Sequence, residues 1–306
     1  MTDADPRATP RWRPGALSWA VVVVAFIGML VLMYPTVASW LSSQNQSLLI
    51  REYTDEIDAV EPSATEQLRL AHEYNDALSS GVRLDANAHV PVGDGVSSDD
   101  SLDYWSILSV GTDAPMARIR IPAIDVDLPI YHGTADDTLL RGAGHLEGSH
   151  LPVGGPSTHA VITAHRGLAN ATMFSDLDEV VVGDTFTIEV FGEVLTYRVR
   201  EKRVVEPEDT DTLRPVEGED LVTLVTCTPL GINSHRILVT GERVTPTPVE
   251  DVEAAGDPPD IPGFPWWAVV LGAGTFALAV FLWRSGYTDA RARARRLDAA
   301  ATDAVE

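Results

Sequence analysis

Two apolar stretches without a single charged residue, Ala16–Tyr34 and Phe264–Trp283, bound what this chain can become. As a helix rising 1.5 Å per residue, the first would cover roughly 28 Å, close to the hydrocarbon thickness of a bilayer. It is longer than the apolar region of a typical signal peptide, and no small-residue cleavage site follows closely, so it reads as a retained span. The second carries Trp266, Trp267 and Trp283 at its ends, where indoles suit the lipid–water boundary. Arg7, Arg11 and Arg13 precede the first stretch; Arg284, Arg291, Arg293, Arg295 and Arg296 follow the second. Basic flanks stay on the cytoplasmic side, so both termini are expected inside and residues 39–262 outside. A buried core helix would account for either stretch alone, but not for the matching flanks.

The outer segment changes texture along its length. Ile50, Tyr53, Ile57 and Val60 recur at helical spacing, Pro62 interrupts, and Leu68, Ala71 and Leu78 suggest a second helical piece ending near Gly81. Residues 82–101 are rich in Gly, Asp, Ser and Pro and read as a loop, followed by a helical turn over Asp103–Leu108. From Met116 onward come short β-rich runs: MARIRI, DVDLPIY, HAVITAH, TFTIEVF, EVLTYRVREKRVV, LVTLVTC and HRILVTGERV. Gly192-Glu193 between two of them signals a hairpin, and Met173–Leu177 reads as a short helix. About seven such runs in so short a segment predict a closed barrel or a sandwich. The expected plan is a cytoplasmic N-terminus (1–15), a span (16–34), a helical extension (39–115) and a β domain (116–244). A Pro-rich acidic linker (245–263), a second span (264–283) and a cytoplasmic tail (284–306) complete it.

A formal net charge of −23 argues against a nucleic-acid partner, which would require clustered Lys and Arg. The one cysteine, Cys227, rules out an intramolecular disulfide and, with it, any thiolate metal cluster; no metal and no cofactor are expected. A lone cysteine is ordinarily a small buried hydrophobe. Its setting changes that reading, because Cys227 closes the apolar run Leu221–Thr226 and opens into Thr228-Pro229-Leu230-Gly231. A strand fixes a nucleophile while a loop gives access to it. His165 ends the apolar run Ala160–Ala164 in the same way. If the two strands run the same way in one sheet, both side chains reach the same rim. Arg236 lies nine residues after Cys227, across a Pro/Gly/Asn loop, and a hairpin would return its guanidinium towards the thiol. His132, His145, His150 and His159 lie in or near turn-forming segments and suit hydrogen-bonded structural roles; His235 adjoins Arg236.

Thr223-Leu224-Val225-Thr226-Cys227 with Arg236 nine residues on resembles the sortase signature TLxTC followed by Arg. Ala164-His165-Arg166-Gly167 resembles the segment bearing the sortase histidine, and RIRIPAIDVDLPIYHG and LLRGAGHLEGSHLPVGG are similar to early sortase strands and connections. The resemblance implies a mainly β fold, an eight-stranded sortase-type β-barrel with N-terminal helices, here flanked by two transmembrane helices. It implies Cys227 as nucleophile on the Thr–Gly bond of an LPxTG-like sorting signal, His165 as acid and base, and Arg236 as holder of substrate and oxyanion. Thr226 and Thr223 would bind substrate or support the site.

The second span and the helical extension resemble the pilin-polymerising class C. That class implies LPxTG-type pilins as partners, a pilin lysine as acceptor amine, and a lid loop over the site. The usual Asp-Pro-aromatic lid tripeptide is missing; Val90 and Pro91 in the loop, or Asp103 and Trp105 just after it, are the candidates. Two other readings compete. One is a housekeeping sortase that joins surface proteins to a cell-wall peptide amine. The other is a non-enzymatic, membrane-tethered binding domain with an inert cysteine. The double anchor is expected in a Gram-positive type of envelope.

Overall fold

The computed structural model describes residues 12–57, 60–79, 82–83, 92–93, 96–97, 99, 102–111, 114–207, 211–259 and 262–303. Its contacts divide the chain into two units, residues 38–263 and the combination of 1–37 with 264–306. Helices α1 (Ala16–Ile57), whose apolar part lies in the terminal unit, and α5 (Trp266–Asp303) are each long and apolar enough to cross a membrane, and none of either apolar window is buried. Such helices indicate membrane association. Gly15 N and Ser18 Oγ both donate to the Asp289 carboxylate, at 2.7 and 2.8 Å, and Trp12 Nε1 donates to Trp283 O, so the N-terminal chain is tied to α5. The spans and the helical pieces beside them are continuous: α1 runs through Pro35 to Ile57, and α5 takes in most of the C-terminal tail.

The other unit is a closed barrel of eight strands: β1 (Ala117–Ile121), β2 (Val126–His132), β3 (Ala143–His145), β4 (Thr158–Thr163), β5 (Thr185–Val190), β6 (Glu193–Val205), β7 (Asp220–Thr228) and β8 (His235–Arg243). Around the barrel they follow the order β6-β8-β7-β4-β3-β2-β1-β5. Seven strands coincide with the β-rich runs of the sequence. The eighth, β3, has only three residues, too few to show a period; its Gly144 lets the chain pass where a Cβ would come within 2.3 Å of Gly133 O. The expected β5–β6 hairpin forms, but it turns one residue earlier than Gly192-Glu193, at Phe191-Gly192, with both residues at positive φ and Glu193 already paired with Val190. Met173–Leu177 forms turns rather than the expected helix. A short helix, α3 (Asp136–Arg141), which the sequence reading did not anticipate, packs its Leu139 onto β3.

Strands β4 and β7 are parallel neighbours buried on both faces. Ala160, Ile162, Val222 and Leu224 join the main core inside the barrel, while Val161 and Val225 join a second cluster with Leu146, Val205, Leu213 and Leu238. That is why AVIT and LVTLV read as unbroken apolar runs, whereas the half-exposed strands alternate.

Helices before and after the barrel dock onto it. Helix α2 (Ala64–Ala77) is capped by Ser63, whose hydroxyl accepts from Glu66 N. Its Asn75 exchanges two hydrogen bonds with the Leu151 backbone, and its Gln67 accepts from Leu108 N. Tyr53 of α1 donates to Met116 O and accepts from Phe191 N. The Pro-rich segment after β8 is tied down as well, through α4 (Val249–Glu253), whose Asp251 accepts from Thr196 Oγ1 at 2.6 Å.

Arg118 on β1 gathers this end of the unit. Its guanidinium is buried, forks onto Asp127 at 2.7 and 2.6 Å, reaches Glu189 at 3.3 Å and donates to Asp257 O at 2.9 Å. Replacing Arg118 by Met should strand two largely buried carboxylates and lower stability by about 3–5 kcal/mol. The check is the denaturant midpoint of the unit that contains the barrel; an unchanged midpoint would mean that the cluster contributes nothing net.

Candidate active site

The parallel β4–β7 ladder sets the position of every candidate group. Its register ends at Thr163 opposite Val225, and two further bonds carry the pairing on: Ala164 N donates to Val225 O at 3.2 Å, and Thr226 Oγ1 donates to Ala164 O at 2.8 Å. The next residues are His165, where β4 has given way to a loop, and Cys227, which is still paired with β8, so the two backbones reach the same edge of the sheet side by side. The antiparallel β7–β8 pairing sets Cys227 directly opposite Arg236 and Thr228 opposite His235. Cys227, His165 and Arg236 are therefore brought to one rim, and the condition that the two strands run the same way is met.

The two threonines act below that rim. Thr226 is buried and its hydroxyl is spent on Ala164, fastening the strand of His165 to that of Cys227. Thr223 is also buried; its hydroxyl meets His159 Nε2 at 2.7 Å and Thr240 Oγ1 at 2.8 Å. Both hydroxyls are engaged inside the sheet, below the rim.

Cys227 is partly exposed at the strand end. Burial pushes its thiol above the ordinary value, while the guanidinium of Arg236 pulls it back down. At neutral pH the cysteine therefore rests mainly as a thiol. Arg236 is buried, and its Nη1 donates to Asn233 O and His235 O at 2.9 and 3.0 Å, which anchors the β7–β8 loop.

Four other histidines, His132, His145, His150 and His159, are held by hydrogen bonds within the fold. Burial drives His145 down to about 3 and His159 to about 4, and it lowers His132 and His150 as well, so all four are neutral near pH 7. Each has a defined partner: His145 lies between Tyr104 Oη and His150 O, His150 Nδ1 accepts from His159 N, and His132 Nε2 meets Ile107 O. His235 Nδ1 pairs with Ser234 Oγ.

Of the lid candidates, Val90 and Pro91 lie outside the described residues. Asp103 and Trp105 lie on the turn before the barrel. Asp103 Oδ1 accepts from Trp105 N, and the Trp105 indole packs on Tyr104 and His132. His132 pairs through His145 with Ile162, three residues before His165, so this turn packs against the sheet below the rim. Among the described residues, no cluster of three or more His, Cys, Asp or Glu could hold a metal ion.

One contact had no advance signal. Arg166, noted in the sequence only as the neighbour of His165, reaches across the rim to Thr228 Oγ1 at 2.8 Å. The following Gly167, at φ +75°, allows Leu230 to pack where a Cβ would lie 2.2 Å from its Cδ1. Arg236→Ala should raise the Cys227 pKa further, because it removes the cation that lowers it. The rate of Cys227 alkylation by iodoacetamide against pH would then shift its midpoint upward; an unchanged midpoint would remove Arg236 from the electrostatics of the thiol.

Residues 119–244 match the family model of the sortase domain. Among solved structures, sortase C-1 from Actinomyces oris is 48% identical, with a TM-score of 0.54 over 60% of this chain and 99% of that one. Streptococcus pneumoniae sortase C is 40% identical, with a TM-score of 0.56 over 64% of this chain and 95% of that one, and is described with its pilin substrate specificity. Sortase A of Streptococcus agalactiae is 29% identical over 169 residues, 52% of this chain and 68% of that protein.

Proposed function

The chain belongs to the sortase family of cysteine transpeptidases, and from that premise we propose that Cys227, His165 and Arg236 form its catalytic centre, acting on an LPxTG-like sorting signal and passing the cleaved polypeptide to a pilin lysine. The observation that carries this reading is the rim itself: parallel strands deliver His165 beside Cys227, and the antiparallel partner sets Arg236 opposite it.

The steps follow from the groups present. The Cys227 proton passes to His165, and the sulfur attacks the carbonyl carbon of the signal's threonine. Arg236 stabilises the oxyanion that develops. As the Thr–Gly C–N bond breaks, His165 returns the proton to the departing glycine amine, leaving a thioester on Cys227. An incoming neutral amine attacks that thioester and gives its proton to His165, and the thiol is restored. Because burial holds the free thiol above its ordinary pKa, the sulfur needs a base to take its proton before it attacks, and that is the task proposed for His165.

The pilin lysine is favoured as acceptor because the solved relatives reported above are class C sortases and because a second apolar helix follows the barrel. Both termini would lie in the cytoplasm and the barrel on the outer side, following the arginine flanks. The test is intact mass of the detergent-solubilised protein after incubation with an LPxTG peptide. A gain equal to the acyl fragment is expected in wild type, none in Cys227→Ala, and a slowing of about 100-fold or more in His165→Ala. Adding a lysine-bearing pilin domain should discharge the adduct into an isopeptide. An unmodified wild type, or acylation in the Cys227→Ala protein, would overturn the reading.

A further inference from the structure

We propose that Arg166 is a positioning residue, a clamp that fixes the loop carrying His165 to the strand end carrying Cys227; the inference rests on the catalytic roles assigned above. Backbone pairing between β4 and β7 holds the two strands together up to Ala164. His165 then turns away, its carbonyl accepting from Phe174 N within its own loop at 3.1 Å. From here a side chain takes over. The guanidinium of Arg166, only 12% exposed, donates through Nη1 to Thr228 Oγ1 at 2.8 Å and through Nε to Ser175 O at 2.9 Å, and its Nη2 lies 2.8 Å from the Asp178 carboxylate.

Two of these bonds grip the 175–178 turn and the third crosses to β7. Arg166 directly follows His165, and Thr228 directly follows Cys227, so the bond joins the immediate neighbours of the proposed acid/base and nucleophile. The planar fork suits this task. A lysine ammonium could meet one partner, but its geometry cannot bind the turn and the strand together. The side chain acts on where His165 sits relative to the sulfur rather than on substrate.

The experiment compares Arg166→Ala, Arg166→Lys and Thr228→Val in the full-length protein, with His165→Ala run in parallel. Single-turnover acylation by an LPxTG peptide, read by mass, should slow by about 10- to 100-fold in Arg166→Ala, the cost of a misplaced catalytic pair. The peptide concentration for half-maximal rate should stay within about twofold of wild type, because no bond to substrate is lost. Arg166→Lys should recover only part of the loss. Thr228→Val, which removes the acceptor without disturbing the 175–178 turn, should slow acylation as well, and the double variant should be no slower than Arg166→Ala alone. Wild-type acylation in Arg166→Ala and Thr228→Val, while His165→Ala is slowed as expected, would overturn the clamp. So would losses that multiply in the double variant, or that follow the fall in unfolding temperature alone. A His165→Ala protein that acylates at the wild-type rate would instead overturn the catalytic assignment beneath it.

Discussion

Everything at the rim depends on one pairing, the parallel ladder between β4 and β7. Parallel strands leave a sheet in the same direction, so groups at their C-terminal ends meet without any further device. The cost is that a parallel pair must be covered on both faces, and this barrel meets it with two apolar clusters. One fills the interior. The other lies outside, where Leu213 from the long β6–β7 connection covers Val161 and Val225. A polar substitution at Val161 or Val225 would act on the site at a distance, by loosening the floor from which His165 and Cys227 project.

The polar groups beneath the rim follow the same economy. Thr223 and Thr226 place hydroxyls inside a largely apolar sheet, and both hydroxyls are satisfied, one by a neutral histidine and a second threonine, the other by the Ala164 carbonyl just past β4. The TLxTC pattern thus has a structural meaning apart from any chemistry. Leucine and valine point into the two clusters, the threonines bind the strand to its neighbours, and cysteine is the residue left at the open end.

Much of this could be read from the chain alone, for reasons that are physical. Seven strands declared themselves through alternation or through unbroken apolar runs, and the charge-free helices through their length. Cys227, His165 and Arg236 were legible because each sits at a strand end beside turn residues. What stayed hidden depended on distant partners. The three-residue β3 is a strand only because β2 and β4 hold it. Met173–Leu177 has helical composition, but Phe174 N is taken by His165 O and the segment closes as turns. Arg166 looked like any loop arginine until Thr228, 62 residues away, was brought to it.

Arg118 carries a further implication, about where this protein begins and ends as a cooperative folding unit. The matched sortase domain starts at residue 119, one position after Arg118, and stops at residue 244, before the Asp257 carbonyl that Arg118 binds. It also leaves out Tyr53, whose hydroxyl bridges Met116 and Phe191. A fragment trimmed to the borders of the family domain would lose a buried cation and leave Asp127 and Glu189 facing each other without it. The bonds that hold the barrel closed therefore reach past the homologous domain on both sides, back to Tyr53 in α1 and on to Asp257 after β8, and a working fragment should keep both.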